Sequence, residues 1–116
     1  MRLTDSRDFE RVYREGRVYR GRLLSVHLYP NGLQNPRLGM AVSKRVGTAV
    51  VRNKLRRRIR EIFSARSSNL GGEGYDLVVS VRPAAASAEF EDLESEFDRA
   101  LERLTNVGQK VSGGDS

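Results

Sequence analysis

The chain of 116 residues has no cysteine, no tryptophan, only three prolines and a single histidine, His27. The missing thiols exclude disulfides, thiolate zinc sites and cysteine nucleophiles, and one imidazole excludes a histidine metal cluster. Long apolar runs are absent too, so the sequence offers no membrane-spanning helix. The opening Met1-Arg2-Leu3-Thr4-Asp5 turns polar at once, unlike a secretory signal, and the expected compartment is the cytoplasm. Composition alone leaves paired-carboxylate catalysis open, but most acidic residues fall on one late helical segment and read as a solvated face.

What the chain does have is positive charge, unevenly placed. Lys and Arg number 21 against 15 Asp and Glu. Over residues 40–66 bases outnumber acids nine to one; from residue 67 onward acids outnumber bases ten to four. A field focused on one segment points to a polyanionic partner. Nucleic acid fits better than a membrane surface, because the basic segment has no Trp or Phe-rich insertion face. A hydrophobic content of 38% fits one compact domain, expected over residues 1–106, with a disordered tail over 107–116.

Thr4 or Asp5 can cap a first helix carrying Phe9, Val12 and Tyr13 on one face and ending near Gly16, a residue suited to a left-handed terminus. Extended pattern follows from Arg17 to Tyr29, broken at Gly21, with Leu24, Val26 and Leu28 alternating with Ser25, His27 and Tyr29. Pro30-Asn31-Gly32 marks a turn. In the next strand, Arg37 to Ser43, Leu38, Met40 and Val42 alternate with Gly39, Ala41 and Ser43. One sheet face is therefore apolar and the other small and polar. After the basic helix, residues 67–74 read as a flexible loop and Tyr75 to Arg82 as a strand buried on both faces. A last amphipathic helix carries Phe90, Leu93, Phe97, Leu101 and Leu104. This order predicts an α+β fold, a two-layer sandwich with a small mixed sheet and elements α-β-β-β-α-β-α, in which the strands flanking the basic helix can be parallel neighbours.

In the basic helix, at about 100° per residue, Val51, Leu55, Ile59 and Ile62 form one stripe while Asn53, Arg56, Arg57 and Arg60 point away from it. Arg52 and Arg58 flank the stripe and can snorkel around it. Five Arg and Lys54 between positions 52 and 60 repel one another unless packing or an anion offsets the strain. Guanidinium forks suit bidentate phosphate contacts. At the helix entrance, Gly47 permits a tight turn, Thr48 can cap, and Lys44 and Arg45 stand beside the positive end of the helix dipole, where a phosphate could sit. An isolated charge run is usually a solvated face; concentration of charge on an amphipathic helix favours polyanion binding. Phe9 and Tyr13 read by default as core, and alternatively as a stacking platform for unpaired bases beside the small face of His27, Gly39, Ala41 and Ser43.

The run from Val42 to Glu61, with its Lys-x-x-Gly-x-Ala-Val-x-Arg-Asn core, closely resembles the signature of the bacterial ribonuclease P protein component. The resemblance extends over about residues 3–105. It takes in Asp8-Phe9 and Tyr13 ahead of Gly16, Arg22 at a strand start, and a Tyr75-Asp76 strand ending in Arg82-Pro83 before a final helix. Where the family reads Arg-Asn-Arg this chain has Arg52-Asn53-Lys54, and His27 stands where the family often has an aromatic. The resemblance implies an accessory subunit that joins a catalytic RNA and helps it remove the 5′ leader of precursor tRNA. Mg²⁺ would be held mainly by the RNA subunit and substrate, and the chain would carry no catalytic residues. It implies that Lys44, Arg45, Arg52, Asn53, Lys54, Arg56, Arg57 and Arg60 face the RNA subunit, and that Phe9, Tyr13, His27 and Ser43 belong to the leader site. A left-handed crossover around the basic helix is implied as well.

Other classes fit less well. A ribosomal or general RNA-chaperone module would share the charge pattern without the signature. A duplex-DNA reader would need a helix free to enter the major groove, and this helix has its apolar stripe in the domain. A self-sufficient nuclease would need organised carboxylates for metals.

Overall fold

A computed structural model describes residues 5–33, 35–67 and 74–113, with side chains through Thr105. The elements run α1 (Ser6–Glu15), β1 (Arg17–Arg20), β2 (Leu24–Pro30), β3 (Arg37–Val42), α2 (Ala49–Arg66), β4 (Tyr75–Val81) and α3 (Phe90–Gly113). This is the α+β order expected. Residues 68–73 of the anticipated flexible loop, and 114–116 of the anticipated tail, lie outside the described residues.

The four strands form one mixed sheet in the order β1-β2-β4-β3. β1 and β4 pair antiparallel with β2, whereas β3 and β4 are parallel, Leu38 opposite Leu77 and Val42 opposite Val81. Two parallel neighbours cannot be joined by a tight turn, and α2 makes the crossover between them. β4 is thus an inner strand, and its Val-rich sequence follows from burial on both sides: Leu77, Val79 and Val81 face one layer, while Val78 faces the other.

The period-two alternation sorts the side chains cleanly. Leu24, Val26 and Leu28, Leu38 and Val42, and Leu77, Val79 and Val81 form one face. Leu55, Ile59, Ile62 and Phe63 of α2 and Leu93, Phe97, Ala100, Leu101 and Leu104 of α3 close over it in a single core cluster. The opposite face carries a much smaller cluster: Val12 of α1 against Val78, with Phe9 and Tyr29 partly buried around them.

Two residues depart from their sequence reading. Gly16 follows α1 with φ −79°, an ordinary value, so it is not a left-handed cap. Its glycine identity comes from crowding: a Cβ there would lie 2.5 Å from the Val12 carbonyl oxygen and 2.8 Å from that of Leu28. Glu96, expected on the solvated face of the last helix, is buried, and its Oε2 accepts hydrogen bonds from the amides of Leu23 (2.9 Å) and Leu24 (2.7 Å). A carboxylate taken from water is retained because charge-assisted bonds to backbone donors replace its hydration.

Candidate nucleic-acid interface

α2 is entered through a short 3-10 turn, Lys44–Val46, followed by Gly47 and the cap Thr48, whose hydroxyl accepts from the Val51 amide at 3.3 Å. No acidic side chain occupies the first turn of α2. The partial positive charge of the helix terminus is thus left uncompensated, and exposed Lys44 and Arg45 add to it. Val50 lies at the same tip, 76% exposed.

Along α2 the cations divide between two flanks. Arg58 lies over the Phe90 ring at 6.0 Å, a cation–π distance. Arg66 donates from Nε to Asp98 at 2.6 Å and from Nη2 to Glu94 at 2.9 Å. The hydrogen bond to Asp98, with support from Glu94, holds its guanidinium charged even more firmly than usual. These two arginines belong to the seam with α3. On the other flank, Arg52 and Arg56 are half-buried, with Arg52 Nε bonded to the Gly47 carbonyl at 3.1 Å and Arg56 Nη1 near Asn53 Oδ1 at 3.4 Å. Asn53, Lys54 and Arg57 are exposed. Arg60, expected to point away from the stripe, is half-buried, and its Nε is buried without a hydrogen-bond partner among the described residues. Among those residues, Lys44, Arg45, Arg52, Lys54, Arg56, Arg57 and Arg60 make no ion pair with a carboxylate, although acids are plentiful on α3. An anionic ligand here would relieve mutual repulsion without breaking any ion pair.

The second sheet face is covered in part by α1. Phe9 lies over Gly39 so closely that a Cβ there would sit 2.5 Å from its Cζ. That contact explains the glycine. Tyr13, 42% exposed, sets its ring edge-on to His27, with centroids 4.8 Å apart and planes at 75°, and its hydroxyl lies 3.1 Å from Ser80 Oγ. The helix is tied at one end of the face. Arg37 makes a bidentate contact with buried Asp76 (2.8 and 2.7 Å) and reaches Asp8 Oδ2 of α1 at 3.5 Å, while Asn31 Nδ2 donates to Asp76 at 2.8 Å. At the other end Ser25 is buried, Ser80 and Ala41 are half-buried and Arg82 is exposed. Ser25 and Ser80 are cross-strand partners, Ala41 neighbours Ser80, and Arg82 Nη2 donates to Ser25 Oγ at 3.3 Å.

Phe9, Tyr13 and His27 therefore come together as one site. Ser43 lies further along the same face, two residues past Ala41 and just beyond the end of β3. Four residues beyond Gly39, it is about 13 Å along the strand direction and leads into Lys44. Sequence reasoning had no place in this site for Ser80, Arg82 or Arg20. The available signal was parity: Asp76, Val78, Ser80 and Arg82 alternate onto the second face, but the run of valines concealed the period.

His27 is the chemically unusual member. Its Nδ1 is buried with no hydrogen-bond partner among the described residues. Burial pushes the imidazole pKa below its ordinary value, and the Arg20 charge adds to the effect. An unpaired buried nitrogen costs about 1–3 kcal/mol, a cost borne more often at functional positions than elsewhere.

Among the described residues, no group of three or more His, Asp or Glu side chains is placed to hold a metal ion, and the acids nearest this face, Asp8 and Asp76, are engaged with Arg37. Nor, among the described residues, is any helix long and apolar enough to cross a membrane.

Comparison with known proteins places this geometry. The Ribonuclease P family model matches residues 1–105. The ribonuclease P protein component of Acidothermus cellulolyticus is 44% identical over 117 residues, covering 99% of this chain and 95% of that protein. That of Caldanaerobacter subterraneus is 37% identical over 109 residues, covering 94% and 93%. Among solved structures, the RNase P protein of Staphylococcus aureus superposes with a TM-score of 0.76 at 30% identity, covering 92% of this chain and 94% of that one. The RNase P protein of Thermotoga maritima gives 0.73 at 31% identity, covering 90% and 94%.

Proposed function

The chain belongs to the ribonuclease P protein family, the protein component of the bacterial tRNA-processing enzyme, and from that membership we propose how its surface serves the holoenzyme. The unpaired flank of α2, from Lys44 and Arg45 at its tip through Arg52, Asn53, Lys54, Arg56, Arg57 and Arg60, docks on the phosphates of the catalytic RNA subunit. The groove of Phe9, Tyr13 and His27 receives the single-stranded 5′ leader of precursor tRNA, and Ser43 joins the two surfaces. The RNA performs the hydrolysis with Mg²⁺ held by RNA and substrate. This chain supplies binding and orientation, which gain rate by fixing the reacting groups relative to each other. The left-handed β3–α2–β4 crossover is part of the same reading. In it, α2 presents one flank outward while its apolar stripe stays in the core.

One observation carries the proposal: of the nine cations from Lys44 to Arg66, eight lack carboxylate partners among the described residues and seven of those also lie off the α3 seam, whereas Arg66 on the same helix holds two carboxylates. The test is reconstitution with the cognate RNA subunit. The wild-type protein is expected to accelerate leader removal from precursor tRNA. Replacing Arg56, Arg57 and Arg60 by Ala is expected to weaken RNA-subunit binding and to flatten a log–log plot of affinity against salt by about 0.7–0.9 per lost phosphate contact. An unchanged slope would refute the docking face. Binding with no effect on cleavage would instead indicate an RNA-binding module outside the reaction.

A further inference from the structure

The groove has a feature that stacking leaves unexplained. His27 sits at its centre, opposite Val18 on β1 and Val78 on β4, with Tyr13 edge-on from α1. Its Nδ1 is buried and has no partner among the described residues. Around it, the face presents donors suited to a phosphodiester. These are the Tyr13 and Ser80 hydroxyls, which share one hydrogen bond, and the exposed Arg82 guanidinium, which also donates to buried Ser25. The charged and titratable groups on this face are Asp8 and Tyr13 on α1, Arg20 on β1, Tyr29 on β2, Arg37 on β3, Asp76 on β4 and Arg82 just past its end. Asp76 is already held by Arg37 and Asn31, so it does not serve the imidazole. Arg20 is the cation that acts on the imidazole, and Asp8 is likewise engaged with Arg37.

We propose that His27 is a proton-linked contact for the leader backbone, taking up one proton as a phosphodiester settles between α1 and the Ser80 hydroxyl and Arg82 guanidinium at the end of β4. The inference rests on the leader groove described above and adds to it a charge state. In the free protein, burial and Arg20 favour the neutral ring. A phosphate brought beside the ring opposes both influences, because an adjacent anion favours the imidazolium. The bound pKa then exceeds the free one. Between the two values, binding takes up a proton, so leader-dependent affinity falls as pH rises. Below the free value or above the bound value it does not change. Uptake of one proton limits the slope to about tenfold per pH unit.

His27 is the sole histidine, so a protein labelled with ¹³C at histidine gives a single imidazole signal with no assignment problem. Titrating it alone and with a saturating single-stranded leader RNA should show a pKa below the ordinary value in the free protein and a higher one in the complex. In the reconstituted holoenzyme, the ratio of precursor to mature tRNA affinity should decline severalfold between about pH 6 and pH 8, and that slope should vanish in His27→Gln. Saturation by leader RNA with an unmoved His27 titration would overturn this proposal and leave the groove standing. Failure of the leader to bind at any pH, or equal affinity for precursor and mature tRNA throughout, would overturn both. The imidazole titration uses the unmodified side chain, so its outcome does not depend on the folding of His27→Gln.

Discussion

The two faces of the sheet are built from the same strands and end in opposite states. On one, alternate residues of β2, β3 and β4 meet two helices, and Ile59, Leu93 and Phe97 reach complete burial. On the other, among the described residues, the apolar burial is confined to Val12 and Val78, beside a buried Asp76 held by Arg37, and the remaining positions carry a glycine, hydroxyls, an imidazole and guanidiniums under a single ten-residue helix. The first face has its contacts satisfied by the fold. The second keeps polar groups, the buried and unpartnered Nδ1 of His27 among them, under a helix that covers them only in part. Stability and recognition are therefore separable in this molecule to the extent that one strand can present unlike residues on its two sides.

The largest effect should come from breaking the closed face. Phe97→Ala removes a fully buried ring, and a loss of about 3–5 kcal/mol is expected, a large share of a small domain's stability. Thermal unfolding would report it, and every RNA-binding activity should fall together. A Tm within a few degrees of wild type would show that the core is not centred there.

Gly39→Val strikes the second face instead. The new side chain would occupy the position of the Phe9 ring, which can yield only by tilting or shifting α1. Overpacking of this kind costs about 1–3 kcal/mol. The preference for precursor over mature tRNA should drop by about a decade, as expected for losing one stacked base, while the salt dependence of RNA-subunit binding stays as in wild type. If the preference survived in a folded variant, α1 would not form the leader groove.

Tyr13→Phe is the finest probe. It keeps the ring against His27 and deletes the hydroxyl bonded to Ser80, so unfolding should show a change of about 0.5–1.5 kcal/mol. Leader affinity should decline by less than in Tyr13→Leu, which also removes the aromatic face. Equal losses in the two variants would mean that the hydroxyl, and not stacking, does the binding.

Much of this contrast between the faces is legible in the sequence. The alternation of Leu24, Val26 and Leu28 with Ser25, His27 and Tyr29 separates them, and the stripe Val51, Leu55, Ile59, Ile62 assigns α2 to the apolar one. Phe9, Tyr13 and His27 group together because their spacing puts them on facing surfaces. Ser80 does not, since its contact with Tyr13 spans 67 residues and leaves no local pattern. Glu96 looks like its acidic neighbours on α3, and only the two amides it caps, more than 70 residues away, make it different. In sequence the cations of α2 differ only in their angle from the apolar stripe. Their division into a flank matched by Glu94, Asp98 and Phe90 and a flank left unpaired depends on where α3 packs.

The sequence by itself determined the element order, the apolar and polar faces of each element, the concentration of positive charge and the family signature. All of these are periodic or contiguous and are dictated by backbone geometry within a few residues. The tertiary structure alone decided that Gly16 and Gly39 are glycines to admit a neighbouring carbonyl and a neighbouring ring, that Arg66 is neutralised while Arg57 is not, and that His27 is left with a buried, unpartnered nitrogen. Each of these depends on which distant group comes to occupy the adjacent space, and that is settled only when the sheet and its helices close together.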